Sequence, residues 1–335
     1  MNRLSLPRSL SLLCCLLVAG GALLLPLSCQ SRPAGALSLS QKLDSLRQAR
    51  PELQSCMPAP DSLIVASVLD RARQNSWAAE HVLDSLLPLF LDVPYVAGTL
   101  ENNDSLGNER LTVNLRELDC MTFVENMAAL YHLVRQGADA GTYPYMIMLL
   151  RYRQGRMGDY TTRLHYTTEW LLDNRRLGLL EDITPRYSRE PALHRIDYMS
   201  THPGAYPVLR DHPALMGKMA LIEQQLGKEA GLVYVPKSRI RESGILLPSD
   251  MVREVRGKTP EDYVFPLAEG DIVMIDTDMA GLDIGHLGFA HYQDGRLHLL
   301  HASSDAGKVV ISQQPLCDYL AGIRRFTGIR IVRLK

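Results

Sequence analysis

The stretch that decides the fold is GHLGFAHYQDGRLHLLHASS, residues 285–304, which contains four of the ten histidines in the chain. Two apolar runs, residues 288–292 and 297–302, flank a Gln-Asp-Gly-Arg turn. The Asp294-Gly295 dipeptide between such runs is a strong signal for a two-residue β-hairpin. The stretch therefore predicts two antiparallel strands joined by a tight turn.

The register of this hairpin sorts its histidines into two pairs. Directly opposed residues share a face of the sheet, and side chains alternate along each strand. His286 and His301 therefore fall on one face, and His291 and His298 fall on the other. Gly288 lies opposite His301, which predicts an open space beside that ring for a substrate or a third group.

Composition and charge limit the classes of protein to which the chain can belong. The chain has 335 residues, 46% of them hydrophobic and 22% charged, which is typical of a globular protein with a sizeable core. The formal net charge is −1 and there is no long basic run, so nucleic-acid binding has little electrostatic support. Helical patterns fill the first half and short β runs follow from residue 232 onward. This order predicts an α+β fold.

The first 28 residues read as a signal peptide. Two arginines precede an almost wholly apolar run over residues 10–27. The motif PLSCQ at its end resembles a bacterial lipoprotein signal, in which Cys29 becomes the lipidated N-terminus, although Pro26 stands where an aliphatic residue is usual. We expect a periplasmic or cell-envelope protein that is held at the membrane by a lipid on Cys29.

Besides Cys29, three cysteines remain beyond the signal peptide, at positions 56, 120 and 317. An odd number at wide spacing does not form a disulfide framework. Cys56 and Cys317 can pair and leave Cys120 free.

Cys120 stands at the start of the clearest helical pattern in the chain, ELDCMTFVENMAALYHLVRQG, with Asp119 as its N-cap. Unpaired amides and the helix dipole favour a thiolate at that position. A buried core cysteine is the alternative. Together with the histidine pair, the position predicts a cysteine hydrolase. Cys120 is then the nucleophile, His286 the base and His301 the residue that orients the base, and the helix amide contributes to an oxyanion site.

Four motifs, PYVAGTLE, LDCMTFVE, HLGFAHY and LLHASS, resemble the NlpC/p60 superfamily of papain-like cell-wall amidases. The resemblance implies a papain-like core in which a helix-borne cysteine packs on an antiparallel β-sheet. It assigns Cys120, His286 and His301 the same three roles and places Tyr95 and Asp119 near the oxyanion or substrate. One departure is Asp-Cys-Met-Thr where the superfamily has Asp-Cys-Ser-Gly.

The segments RLHYTTEW, STHPGAYP, YVPKS and AGLDIGHLGFA resemble one divergent branch, formerly a domain of unknown function, that includes N-acetylmuramoyl-L-alanine amidases acting on anhydromuropeptides. We therefore expect a tether and helical segment over residues 29–61, then one catalytic domain over 62–335 with an insert at about 138–230. If RLHYTTEW is helical, four of its polar and aromatic residues lie close together: Arg163, His165, Tyr166 and Trp170. These side chains either contact the substrate or pack within the protein, and the sequence leaves both roles open.

The leading hypothesis is a cysteine amidase that hydrolyses the bond between N-acetylmuramic acid and L-alanine in peptidoglycan fragments, without a cofactor. One alternative is a γ-D-glutamyl-diamino acid endopeptidase of the same superfamily. Another is a non-catalytic lipoprotein that binds muropeptides. A zinc hydrolase has the least support, because tetrahedral zinc needs three or four ligands and the chain has no HExxH motif, so we expect no metal.

Overall fold

The computed structural model describes residues 37–192, 195–229, 231–244 and 267–335. The predicted signal peptide and Cys29 lie outside the described residues. The described residues between Leu39 and Lys335 form one compact unit, so the helical segment that follows the predicted tether packs together with the rest of this unit.

The described part of the chain contains ten α-helices. In chain order, α1 to α10 are Leu39–Ala49, Ala59–Gln74, Val82–Leu86, Cys120–Gln136, Tyr143–Arg151, Thr167–Leu177, Tyr198–Thr201, Pro207–Asp211, Pro213–Leu226 and Leu316–Gly322. Short 3₁₀ turns occupy Pro51–Cys56, Ala79–His81, Leu87–Phe90, Ala140–Thr142, Arg153–Gly155, Tyr160–Thr162, Thr184–Arg186, Pro203–Ala205 and Lys237–Arg239.

Seven strands in the same residues form one antiparallel sheet. Strands β1 to β7 are Leu180–Asp182, Val235–Pro236, Ile272–Thr277, Ile284–Gln293, Arg296–Ser303, Lys308–Ile311 and Phe326–Leu334. Their order is β1-β7-β3-β4-β5-β6, and β2 pairs with β7 away from this path. Helices precede a meander of antiparallel strands, so the α+β prediction is confirmed.

The hairpin of β4 and β5 has the predicted register. Gln293 pairs with Arg296 and His291 with His298. The backbone φ is +51° at Asp294 and +73° at Gly295. A two-residue turn with both φ angles positive matches the right-handed twist of the strands, and Asp-Gly adopts it readily.

The sheet is covered on both faces. On one face, Phe123 of α4 meets Phe289 of β4 edge to face, with ring centroids 5.6 Å apart. On the other face, Leu316 and Leu320 of α10 share a core cluster with Leu299 of β5. A third cluster fills the helical region between residues 160 and 232. None of the described helices has the length and apolar character needed to cross a bilayer.

Candidate active site

Cys120 begins α4 because Asp119 caps the helix. The Asp119 carboxylate accepts a hydrogen bond from the Thr122 backbone N–H at 2.7 Å, and the Thr122 hydroxyl accepts one from the Asp119 N–H at 2.9 Å. This reciprocal capping box satisfies two amides that a helix end otherwise leaves unpaired. Asp119, predicted near the oxyanion or substrate, thus has a carboxylate oxygen engaged in the cap, and Cys120 follows it as a half-buried free thiol.

The two strands of the hairpin bring His286 and His301 together. Nε2 of His286 lies 2.6 Å from Nδ1 of His301, and the rings are nearly perpendicular, with centroids 4.8 Å apart. A neutral imidazole has one donor and one acceptor nitrogen, so one ring donates and the other accepts. His301 is buried and His286 is half-buried. The second histidine can therefore fix the orientation of the first.

A β-bulge sets the position of His286. His286 pairs with Ile275 of β3, whereas the next residue of that strand, Asp276, pairs with Ile284. Gly285 is the residue left over between these two pairs. Bulges redirect side chains at strand ends, and they are common beside active sites. The extra residue thus lies directly before the candidate base.

Burial keeps both rings neutral at physiological pH. It lowers the pKa of His286 to about 3, and the neighbouring charge of His301 adds to that shift. It lowers the pKa of His301 to about 4, although the carboxylate of Asp305 acts in the opposite direction. Since the two rings interact, the protonation of one changes the pKa of the other, and the two titration steps belong to the pair. A neutral imidazole is the form that can accept a proton.

The thiol of Cys120 is also neutral. Burial raises the pKa of the Cys120 thiol to about 12, and the charge of Asp119 raises it further. Backbone contacts at Leu287, Met121 and Cys120 itself act to lower it, but burial is the larger effect. The pKa of Cys120 is therefore raised, whereas the helix end alone would lower it. The contact with Leu287, which follows His286 in sequence, places the sulfur beside the strand that carries the base.

A short extended segment brings Tyr95 to the same place. Tyr95 forms a parallel bridge with Leu118, two residues before the cysteine, and its N–H donates to the carbonyl of Gly307 at 2.9 Å. Burial raises the pKa of the Tyr95 phenol, and the charges of Cys120 and Asp119 raise it further. Backbone pairing therefore brings Tyr95, a predicted site residue, close to Cys120.

The sequence alone did not identify Tyr319 of α10. Its ring centroid lies 5.5 Å from that of His301 and 6.4 Å from that of His286. Tyr319 and His301 line a cavity of about 410 Å³, which we call the His301 cavity. No local pattern in this short helix points to the histidines, because the contact joins elements that lie apart in the chain.

The predicted opening beside Gly288 is wrong. A Cβ atom at Gly288 would lie 2.7 Å from the carbonyl oxygen of Leu300 and 2.8 Å from Cβ of His301. The glycine therefore permits the two strands to approach closely, and it leaves no space for a substrate. The accessible space lies on the Tyr319 side of His301, in the His301 cavity.

Arg163 and His165 lie in an ionic and aromatic network before α6. Arg163 is buried, donates to Glu101 at 2.6 Å and lies 4.9 Å from the Tyr160 ring centroid. His165 is half-buried, and its Nε2 lies 2.8 Å from the Tyr160 carbonyl oxygen. Burial and the charge of Arg163 hold the pKa of His165 well below its usual value. Both side chains are occupied by protein contacts.

Tyr166 and Trp170 belong to the packing of the helical region. The Tyr166 hydroxyl donates to Glu223 at 2.6 Å and accepts from the Met199 backbone N–H at 2.8 Å. Trp170 is completely buried. The helix begins at Thr167, not at Arg163, so the four residues do not form one helical face. For Tyr166 and Trp170 the structure supports the packing alternative.

The remaining predicted groups lie elsewhere. Cys56 and Cys317 are free thiols, so the pairing that the sequence left open does not form. His291 and His298 bind protein partners rather than each other: Nδ1 of His291 lies 2.7 Å from Glu269, and Nδ1 of His298 lies 2.8 Å from the Ser312 carbonyl oxygen. Among the described residues, no cluster of three or more His, Cys, Asp and Glu side chains is arranged to hold a metal ion.

Comparison with known proteins identifies the family of this chain. The profile of the AmiA-like family, described as N-acetylmuramoyl-L-alanine amidase-like, matches residues 87–329, which include the cysteine and both histidines. The chain belongs to this family. No curated protein matches the sequence.

Solved structures of similar proteins cover most of the chain. An N-acetylmuramoyl-L-alanine amidase from Bacteroides uniformis is 36% identical, with a TM-score of 0.64 over 76% of this chain and 97% of its own. A Bacteroides fragilis protein named a "putative xylanase" is 38% identical, with a TM-score of 0.65 over 75% of this chain and 99% of its own. A Legionella pneumophila protein at 20% identity, with a TM-score of 0.56 over 85% of this chain and 96% of its own, shares the fold.

Proposed function

We propose that this family member is a cysteine-dependent N-acetylmuramoyl-L-alanine amidase. Its substrates are peptidoglycan fragments, among them anhydromuropeptides, and it cuts the bond between muramic acid and L-alanine. The observation that carries the proposal is the 2.6 Å contact between His286 and His301. The same hairpin contacts the thiol of Cys120, at the start of α4, through the backbone of Leu287. A nucleophile, a base and a group that orients the base are the parts that acyl transfer requires.

In the proposed reaction, Sγ of Cys120 attacks the carbonyl carbon of the amide, and His286 takes the thiol proton as the carbon–sulfur bond forms. Backbone N–H groups at the start of α4 bind the oxyanion of the tetrahedral intermediate. His286 returns the proton to the L-alanine nitrogen, the carbon–nitrogen bond breaks, and the peptide leaves with a free amine. Water then cleaves the thioester, giving the muramic acid carboxylate and restoring the thiol.

The resting protonation states support attack and proton transfer in one step. The high pKa of Cys120 and the low pKa of His286 disfavour a preformed thiolate–imidazolium pair. Charge therefore develops mainly as the substrate carbonyl is attacked, which is where fixed amide dipoles have most effect. The reaction uses no cofactor and no metal.

The name of the Bacteroides fragilis relative suggests glycoside cleavage instead. Most glycosidases use two carboxylates on either side of the bond that they cut. Here the carboxylate next to the thiol, Asp119, caps the helix. A second carboxylate, Asp305, lines the His301 cavity, but the nucleophile and the paired bases are a cysteine and two histidines. This set of side chains favours amide hydrolysis.

Three further proposals concern setting and architecture. The catalytic core is papain-like and of the NlpC/p60 type, a proposal supported by a helix-borne cysteine packed on an antiparallel sheet. One catalytic domain spans residues 62–335 and contains an insert at about 138–230. A lipid on Cys29, after removal of residues 1–28, holds the protein in the periplasm, a proposal supported by the PLSCQ motif.

The test incubates the wild-type chain and Cys120→Ala with a disaccharide-tetrapeptide and with its anhydro form, and identifies the products by mass. Free disaccharide plus intact tetrapeptide, absent with Cys120→Ala, is the expected result. Cys56→Ala is the matched control, because it removes a half-buried free thiol from the 3₁₀ turn Pro51–Cys56, which carries none of the proposed catalytic groups, and it should retain full activity. Disaccharide-dipeptide as product would instead show an endopeptidase, and no product from reduced protein would favour a binding function.

A further inference from the structure

The contact between the two histidines leaves one ring nitrogen of each for another partner. Nε2 of His286 lies 2.6 Å from Nδ1 of His301, so the nitrogen available to the thiol of Cys120 is Nδ1 of His286. Nε2 of His301 is the nitrogen left for the His301 cavity, which that residue lines. Within the described part of the chain, the His301 ring has no hydrogen-bond partner besides His286.

The proposed reaction fixes the tautomer of both rings. Nδ1 of His286 can take the thiol proton only when it carries no hydrogen, so the hydrogen of that neutral ring is on Nε2. The Nε2–H of His286 then donates to Nδ1 of His301, and the neutral His301 ring carries its hydrogen on Nε2. In the opposite tautomer His301 donates to His286, whose Nδ1 then carries a hydrogen and cannot act as a base. The productive arrangement therefore leaves the Nε2–H of His301 in need of an acceptor.

The His301 cavity supplies one carboxylate, that of Asp305, among the described residues that line it. The hydroxyls of Ser303 and Ser312 are both engaged with backbone groups, at 2.7–3.1 Å. The glutamines of the cavity are neutral, and an ionised carboxylate is a stronger hydrogen-bond acceptor than a neutral amide. Asp305 is therefore the group in this cavity that best matches the N–H of His301.

The turn that carries Asp305 joins β5 to β6 and is anchored beside the catalytic groups. The Gly307 carbonyl accepts the Tyr95 N–H at 2.9 Å. Lys308, the basic residue nearest to Asp305 in sequence, binds Asp92 at 2.5 Å. These contacts hold the turn against the segment of Tyr95. They also engage the Lys308 ammonium with another carboxylate, so the charge of Asp305 remains available to the cavity.

The charge of Asp305 acts on the aromatic groups of the cavity. It raises the pKa of His301, although burial has the larger effect and brings that pKa down to about 4. Burial raises the pKa of Tyr319 to about 12, and the charges of Asp305 and Cys120 contribute to that shift. Asp305 itself is exposed, so solvent and salt screen part of its effect. The carboxylate thus favours positive charge on the histidine pair by a moderate amount.

We propose that Asp305 is a positioning residue of the catalytic centre, which holds the Nε2–H tautomer of His301 from the side of the His301 cavity. His301 in turn keeps Nδ1 of His286 free to take the thiol proton. The inference rests on the proposed amidase function and extends the order Cys120, His286, His301 by a fourth group. As positive charge develops on His286 during attack, the same carboxylate stabilises it through the pair.

The first test determines the tautomer directly. The full chain is labelled with ¹⁵N-histidine, and the nitrogen shifts near pH 7, where both rings are neutral, show which nitrogen carries the hydrogen. We expect Nε2–H on both His286 and His301 in the wild-type chain. Asp305→Ala should move His301 toward the Nδ1–H form, and Asp305→Glu should restore the wild-type shifts.

Asp294→Asn is the matched control for this measurement. It removes an equal charge from an exposed residue at the far end of the hairpin, and it should leave the shifts of His286 and His301 unchanged. Nδ1–H on His301 in the wild-type chain would overturn the proposal. The wild-type tautomer in a folded Asp305→Ala protein would overturn it as well.

Kinetics give a second readout. Asp305→Ala should lower kcat for a disaccharide-tetrapeptide about tenfold with KM within about twofold, because the residue acts through His301 and not on the substrate. Asp305→Glu should recover most of the loss. The acid limb of the pH–rate profile should move to lower pH in Asp305→Ala, since the carboxylate raises the pKa of His301. A rise in KM with unchanged kcat would show substrate contact and contradict the positioning role.

Tautomer and turnover distinguish failure of this role from failure of the amidase function. Because the NMR measurement requires no turnover, a His301 tautomer that depends on Asp305, without amide cleavage by the wild-type chain, would refute the amidase function alone. Amide cleavage by a chain whose His301 tautomer is the same with and without Asp305 would refute only the role of Asp305.

Discussion

The two histidine pairs of one hairpin have opposite properties. His286 and His301 contact each other at 2.6 Å, and burial lowers both pKa values. On the other face of the same strands, His291 contacts Glu269 at 2.7 Å, and this contact raises the pKa of His291. The same residue type thus gives a neutral, mutually bonded pair on one face of the hairpin and a half-buried ion pair on the other. Neighbours, rather than residue type, decide which histidines can act as bases.

The largest expected difference between the pairs is in activity. His286→Ala should lower kcat/KM by about 10³-fold, because general-base assistance is lost. His291→Ala, in the other pair, should stay within about twofold of wild type, since surface changes away from the site have small effects. Muropeptide hydrolysis followed by mass spectrometry measures both. Equal losses in the two variants would show that position on the hairpin does not separate their roles.

Replacement of His301 tests whether its role is orientation. His301→Ala should reduce kcat by about 10²-fold, and His301→Gln should recover part of that loss, because an amide can still fix the tautomer of His286. The acid limb of the pH–rate profile should also move, since the coupled partner of His286 no longer titrates. A profile that stays unchanged in both variants would exclude this role.

Gly288→Ala tests the close packing of the two strands beside His301. The added methyl group meets the Leu300 carbonyl and His301 Cβ at under 3 Å. It should destabilise the fold by about 1–3 kcal/mol and lower activity through His301. Gly322→Ala is the control, because nothing lies within 4 Å of its Cβ, and its free energy of unfolding should be nearly unchanged. Chemical denaturation followed by circular dichroism measures both, and equal stability of the two variants would contradict the close approach.

The two pairs also differ in how they couple stability to pH. His286 and His301 protonate near pH 3 and 4 in the fold but near 6.5 when unfolded, so they favour the fold above pH 6.5 and lose this contribution as pH falls toward those values. His291 has a raised pKa, so its contribution is present below 6.5 and is lost as pH rises through the raised value.

Glu269→Gln should therefore cost about 0.2–1 kcal/mol at pH 6 and less at pH 9, where His291 is neutral in either protein. In NMR titrations, the imidazoles of His286 and His301 should stay neutral at pH 5, and the imidazole of His291 should change protonation above pH 6.5. Titration of all hairpin histidines near 6.5 would remove the distinction between the pairs.

Several parts of the site could be predicted because they depend on local patterns. The Asp294-Gly295 turn sets the hairpin register, and alternation then assigns His286 and His301 to one face. Asp119 and Thr122 form a capping box that places Cys120 at a helix start. In each case the residues that decide the geometry lie within a few positions of one another.

Other parts could not be predicted from local patterns. Tyr319 reaches the histidines only because α10 packs on the far face of the sheet. The net pKa shift of Cys120 follows from burial beneath residues distant in sequence, which outweighs the helix end that the sequence reveals. Trp170 could equally face a substrate or the core on its sequence alone, and the packing of α6 buries it completely.

The sequence by itself determined the two strands of the hairpin, their register and the helix start that carries the thiol, because turn residues, alternation and capping act over short distances along the chain. The tertiary structure alone decided which protonation states these groups adopt, which aromatic ring covers them and where the cavities lie. Those properties depend on desolvation and on contacts between elements that only folding brings together.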